Sequence, residues 1–295
     1  MSIIIQDVTQ DINDSSVEPI AKDQFIRYNG VKSLFDFKSN QTYPQQAPVA
    51  ASPTFYSLVD GGASMQANTA MTTSQTPETS TTASYSFSPT SKGLIFAGQY
   101  TRSSDNALVA NGAALLLPDA FKKSADNREF MIGFMFKNRP VAVTGSLNAA
   151  IISYGNGSGM GSHQSRFYLP VTNGALGNFE LGFNGVTANM GGYFPKDTKT
   201  VHQCVGHFRV NDDNASFTGN LFIDGDFASS FTGAYSGSLL VPGSGALARA
   251  GGSGFYNGGV SLELYRLWTA DLAGVSRSAA DIVAQEWALY KDRFN

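Results

Sequence analysis

Charge is scarce in this sequence. Lys, Arg, Asp and Glu together make up 15% of its 295 residues, against roughly 25% in ordinary soluble domains. Long solvent-exposed helices draw on Glu, Lys and Arg, so the shortage argues against a helical architecture. The 20 basic and 23 acidic residues leave a net charge of −3 and form no basic block. Binding by counterion release needs clustered Lys and Arg, so no nucleic-acid partner is expected. There is one cysteine, Cys204, which excludes a disulfide within the chain and suits assembly in a reducing compartment. Long apolar runs are missing too: nothing approaches the roughly 20 residues of a membrane span. Met1-Ser2-Ile3-Ile4-Ile5-Gln6-Asp7 has no basic lead and only a brief apolar stretch, so no secretory signal is expected.

What replaces the charge is glycine, at 31 residues, with Ser, Thr and Asn. With 42% hydrophobic residues the chain can build a core, and this composition favours strands joined by tight turns. Residues 1–52 differ from the rest. Isolated apolar clusters (Ile3, Ile4 and Ile5; Phe25 and Ile26; Leu34-Phe35) sit among Asp, Asn and Gln, and Pro44, Pro48 and Pro53 interrupt any ladder. The stretch reads as an extended arm whose clusters pack on another surface, either its own sandwich or a neighbouring subunit.

From residue 53 onward short strand candidates recur. They include Phe55–Val59, Gly93–Gly98, Phe130–Phe136, Ala149–Tyr154, Arg166–Val171 and Phe179–Phe183. Such density without intervening helical patterns predicts an antiparallel sandwich over 53–295. Residues 72–91, rich in Ser and Thr, read as a linker or as an exposed strand and loop around Tyr85–Ser88. Asp224-Gly225 fits a two-residue type I′ turn between two strands. Val260–Trp268 alternates, which predicts Leu262, Leu264 and Trp268 together on the inward face. One helix is predicted over 278–294. Ser278 is its N-cap with Asp281 three positions on, and Val283, Trp287, Tyr290 and Phe294 form its apolar stripe.

Leu221-Phe222-Ile223-Asp224-Gly225 resembles the L-x-V-D-G hairpin of concanavalin A-like and laminin G-like jelly rolls. Gly254–Gly259, the strand ending at Trp268, and the helix that follows are similar to the closing segment of that family. The resemblance spans residues 55–290 and is carried mainly by the last 80. It implies an all-β antiparallel jelly-roll sandwich with a short C-terminal helix, to which residues 1–52 add the extended N-terminal arm. Where the family often carries a Trp ahead of the central strand, this chain has His202-Gln203-Cys204-Val205-Gly206-His207-Phe208. The calcium ligands of the family cannot be matched residue by residue, so calcium stays open and no cofactor is assigned. The arm, the low charge and the lone cysteine also resemble, in style, structural proteins of tailed-bacteriophage virions.

Several constellations offer chemistry by residue type. His202, Cys204 and His207 offer metal ligands by type, but in a strand 202 and 204 share one face while 207 takes the other, and no fourth ligand follows. Glu180 and Glu263 stand alone, without the paired carboxylates of a glycosidase. Asp224-Gly225-Asp226 and Asp212-Asp213-Asn214 read as turns. Gly155–Gly161 lacks the Lys and the helix of a phosphate loop. Loops at a sandwich end carry binding where binding exists, which makes Tyr154, Asn156, Tyr256 and Asn257 the carbohydrate-contact candidates.

The sequence thus leads to a non-enzymatic virion structural protein of a tailed phage, in its tail, baseplate or collar or as a capsid decoration. It would be made in the host cytoplasm and assemble with other virion proteins, and as a homo-oligomer, through its arm. The second reading is a glycan-binding module for attachment to a host surface. The third is a glycanase with carboxylates on separate strands.

Overall fold

The structure, a computed structural model, describes residues 23–294 apart from 28, 47–52, 69–84, 89, 97–98, 102–107, 111–113, 125–126, 140–145, 148–149, 156–161, 173–174, 244–245 and 252–259. In chain order its strands begin with β1 (Val31–Asp36), β2 (Thr54–Phe55), β3 (Met65–Asn68), β4 (Tyr85–Phe87), β5 (Leu94–Phe96), β6 (Gln99–Thr101) and β7 (Leu108–Ala110). There follow β8 (Ala114–Leu116), β9 (Glu129–Asn138), β10 (Ser146–Leu147), β11 (Ala150–Gly155), β12 (His163–Tyr168), β13 (Val171–Thr172) and β14 (Ala175–Leu176). The last are β15 (Glu180–Phe183), β16 (Val186–Asn189), β17 (His202–Val210), β18 (Ser216–Ile223), β19 (Asp226–Ala234), β20 (Leu247–Ala250) and β21 (Leu262–Asp271). One helix, α1 (Ala279–Tyr290), closes the chain.

Two large sheets form the sandwich. The first runs β19-β18-β17-β9-β21-β5-β4, with β1 also paired to β21. The second runs β16-β15-β12-β11-β20-β8-β3-β2, and the described pairings in both are antiparallel. Between them lies a core dense in phenylalanine. Phe130 stacks on Phe208 at 5.0 Å and meets Phe183 edge-on, and Phe134 packs against Phe167. The Asp224-Gly225 turn has φ of 52° and 91°, the left-handed pair that a type I′ hairpin requires.

A third layer covers part of the outer face of the first sheet. Ser278 caps α1 by accepting the Asp281 N–H at 3.1 Å, and Ile282, Val283 and Tyr290 are buried against the strands. The helix stops at Tyr290 rather than 294. The chain turns there, so that Arg293 reaches Asp36 at 3.2 Å and Phe294 stacks on Tyr265 at 5.0 Å.

The structure narrows one expectation and corrects another. The first concerns residues 1–52, of which the structure describes 23–46 except 28. This part packs on its own sandwich, one of the two surfaces the sequence left open. β1 pairs with β21, its Phe35 enters the core between the sheets, and Phe25 is 0% exposed beside Trp268. Ile26 packs in the same cluster. Pro19 lies before β1 and Pro44 and Pro48 after it, so the strand-forming stretch Val31–Asp36 was free to join a sheet. Ile3, Ile4 and Ile5 lie outside the described residues.

The correction concerns β21. A bulge between Leu264 and Arg266 shifts its register against β9, and a bulge reverses the alternation beyond it. Leu262, Leu264 and Leu267 face the inter-sheet core, whereas Tyr265, Trp268 and Ala270 face the helix layer. Trp268 therefore lies on the face opposite Leu262 and Leu264. Gly133 of β9 makes room for it: a Cβ there would come within 2.3 Å of the indole.

Candidate functional site

The outer face of β17 and β18 carries the open polar site. In β17 the even positions point inward: Cys204 and Phe208 are core residues, and a Cβ on Gly206 would meet Phe167 and Phe183. The odd positions therefore point outward. Antiparallel register sets His207 opposite Asn220 and Arg209 opposite Thr218. On the other side β9 brings Glu129 opposite Arg209. His207, Arg209, Asn211, Asp212, Thr218 and Asn220 line a cleft of about 270 Å³.

Its polar groups are held before any ligand arrives. The His207 Nε2–H donates to Glu129 Oε1 at 3.0 Å, and the Asn220 amide donates to His207 Nδ1 at 3.0 Å. The His207 hydrogen bond holds the Glu129 carboxyl below its ordinary pKa, against the opposing effect of burial. At the cleft's end, Thr218 Oγ1 donates to Asn211 Oδ1 at 2.8 Å, and Asn211 Nδ2 donates to Ser216 Oγ at 2.8 Å. Asp213 closes the adjoining turn by accepting from the Ala215 and Ser216 amides. Arg209 is exposed and pairs with exposed Asp212 at 3.8 Å. The Asn220 carbonyl oxygen, its second N–H and most of the Arg209 donors are left over for a ligand. Such a surface can exchange several hydrogen bonds with a polyhydroxylated molecule.

Two other polar clusters serve the scaffold. His202 donates from Nδ1 to Asp224 at 2.7 Å and from Nε2 to Asp197 at 2.5 Å. With both nitrogens donating, this ring is an imidazolium. Burial works against its charge, but the hydrogen bonds from Asp224 and Asp197 prevail and its pKa is raised. Beneath α1, the fully buried Arg266 guanidinium reaches Asp36 at 2.8 Å, Asp23 at 2.9 Å and Glu286 at 3.2 Å. Gln203 donates to Glu286 at 2.8 Å, and the Arg266 guanidinium lies over the Tyr290 ring at 3.8 Å. Burial raises the Glu286 pKa even beside Arg266.

Of the four carbohydrate-contact candidates the structure describes one, Tyr154. Tyr154 lies in β11 of the second sheet, half-buried against the inter-sheet core. Asn156, Tyr256 and Asn257 lie outside the described residues. His202 and Cys204 share strand parity and His207 takes the opposite face, as the sequence indicated. Burial pushes the Cys204 thiol well up in pKa. Among the described residues no group of three His, Cys, Asp or Glu side chains is arranged to hold a metal ion, and no helix is long and apolar enough to cross a membrane. Sequence reasoning missed Glu129, Arg209, Thr218 and Asn220. The signal was the polar residues at alternate positions of two strands, readable only once their mutual register is known.

No family model matches the chain, and no curated protein matches it. Solved structures do match. A Trypanosoma rangeli sialidase in complex with 2,3-difluorosialic acid aligns at 12% identity and a TM-score of 0.44, over 90% of this chain and 34% of the sialidase. Domain 4 of the arabinanase AbnA from Geobacillus stearothermophilus, in complex with arabinotriose, aligns at 11% identity and a TM-score of 0.44, over 87% of this chain and 98% of that domain. Tailspike protein 2 of bacteriophage CBA120 aligns at 14% identity and a TM-score of 0.41, over 70% and 29% respectively. The chain thus spans about a third of the sialidase's length. Likeness at these values assigns no function.

Proposed function

We propose that this chain is a non-catalytic binding module that takes a glycan in the cleft between β17 and β18, as an attachment component of a tailed-bacteriophage virion. The observation that supports binding is the pre-ordered line Glu129–His207–Asn220, flanked by Arg209 and Thr218 on an open strand face. Fixed polar groups do not have to be ordered when the ligand arrives, which lowers the cost of association. The lining is polar rather than apolar, which suits a sugar better than a flat hydrophobic ligand.

Catalysis finds little support at this site. A glycosidase needs one carboxylic acid with a raised pKa to protonate the leaving group. Glu129 is shifted the opposite way. The reading requires no cofactor. The virion setting is supported by the resemblance in sequence style and remains part of the proposal.

A glycan array probed with the wild-type chain and with Asn220→Ala tests the reading. Binding to a defined glycan that Asn220→Ala abolishes supports it. Absence of binding across the array, or binding that Asn220→Ala leaves intact, overturns the assignment of the cleft. Immunogold labelling of purified particles tests the setting.

A further inference from the structure

The last strand of a sheet carries a row of backbone N–H and C=O groups without a ladder partner, open to pairing with another chain. Four strands end the two large sheets: β19 and β4 in the first, β16 and β2 in the second. Three of them are short, with three residues in β4, four in β16 and two in β2. Shortness is one of the ordinary ways to blunt an edge. β19 has nine residues. Its ladder to β18 runs from Ser216 and Ala234 to Ile223 and Asp226. Among the described residues no strand or backbone group bonds to its other side.

The usual guards are missing from this edge. Phe227 to Ala234 contains no charge and no proline. A register shift beside Phe222 disturbs only the end near the turn. Ser230, Thr232 and Ala234 are exposed and short. On the inner side, Phe231 leans over Gly219 of β18, and the Phe217 ring fills the space above Gly233. Beyond Ser229 no charged side chain stands at the seam, and the one bulky ring, Phe231, lies toward Gly219 of β18.

We propose that β19 pairs antiparallel with β19 of a second copy, about a two-fold axis near Thr232, joining the first sheets of two chains into one. Charge selects this occupant. The edge offers no counter-charge to an acidic or basic peptide, whereas an uncharged copy of itself meets no repulsion. The strand's single charge, Asp226, stands at its start, and antiparallel pairing sends the two copies of it to opposite ends. Two-fold symmetry makes every contact twice. The joined sheet sets the two β17 strands five spacings apart, about 24 Å at ~4.8 Å per strand, with both clefts on one face. A surface bearing repeated ligands would then be engaged twice.

Sedimentation equilibrium of the full chain over a range of concentrations tests the proposal. The wild type is expected to approach twice its 31.4 kDa mass. Thr232→Lys with Ala234→Lys brings ammonium groups together across the axis on exposed positions. The dissociation constant should rise at least tenfold while the far-UV spectrum and melting temperature hold. Mixing Thr232→Lys with Thr232→Glu chains should restore association. Should the lysine variant fail to fold, amide hydrogen exchange of the wild type decides: outward-facing β19 amides are expected to be protected when concentrated and to lose protection on dilution. A wild type that stays monomeric, a dimer indifferent to the lysines, or β19 exchange independent of concentration overturns the proposal.

Discussion

Along β17 the outward-facing residues change character within a few positions. Gln203 and Val205 lie buried beneath α1, with Gln203 bonded to Val283 and Glu286 of that helix. His207 and Arg209, on the same face of the same strand, line an open cleft. One half of the face thus spends its side chains on holding a third layer, and the other leaves them to solvent. The same contrast separates two arginines on the outer face of the first sheet. Arg266 is buried among three carboxylates, while Arg209 keeps one loose partner. Polar residues in the covered half belong to stability. Those in the open half are available for binding.

Breaking the covered half should have the largest effect. Arg266→Ala leaves Asp23, Asp36 and Glu286 buried without their common partner, and removing one member of a buried ion pair costs about 3–5 kcal/mol. An unfolding free energy that falls by less than a quarter of that in denaturant titration would show that the third layer is not held by this cluster. Trp268→Ala removes an indole packed edge-on to Phe25 at 4.9 Å, at a cost of about 3–5 kcal/mol for a large aromatic in a filled site. Because Trp268 lies beneath the helix layer, the loss should be accompanied by faster amide exchange in residues 23–37. A loss confined to the inter-sheet core would contradict the bulge in β21.

A smaller effect is expected at the His202 clamp, and its sign is fixed by the raised pKa. A group whose folded pKa exceeds its unfolded value contributes stability fully below the unfolded value, about 6.5 for histidine. That contribution is lost as pH rises through the folded value. The wild type should therefore lose part of its advantage over His202→Gln on going from mildly acid to alkaline pH. Parallel melting curves for the two proteins across that range would remove the imidazolium from the account.

The sandwich, the hairpin turn and the helix were legible in the sequence because each is governed by local chemistry: the Asp224-Gly225 φ requirement, the Ser278 cap, the density of short apolar runs. The third layer was not. Phe25 and Leu34 looked like stray apolar clusters because their partners, Trp268 and Ile282, lie more than two hundred residues away. The bulge at Tyr265 defeated a strict period-two reading, since nothing in Leu264-Tyr265-Arg266 announces an extra residue. The candidate cleft escaped for a related reason. Histidine 207 was weighed with His202 and Cys204, its neighbours in sequence, whereas its working partners are Glu129 and Asn220, its neighbours across strands.

The finest test of the contrast is Asn220→Ala, in the open half. Asn220 donates one hydrogen bond to His207, on a partly open face where water can replace the lost donor. A net intramolecular hydrogen bond of this kind is worth about 1 kcal/mol, so the melting temperature should fall only slightly, far less than with Arg266→Ala. Its effect on the imidazole should be plain nonetheless. With its Nδ1 no longer accepting from the amide, His207 is free to change tautomer or to swing away from Glu129. The 15N chemical shifts of the ring would report this directly, whether or not a ligand is present. If Asn220→Ala leaves the ring signals unchanged, the amide does not set the state of His207. If it unfolds the protein, the open half carries structural weight after all, and the division of the sheet into a holding half and a binding half fails.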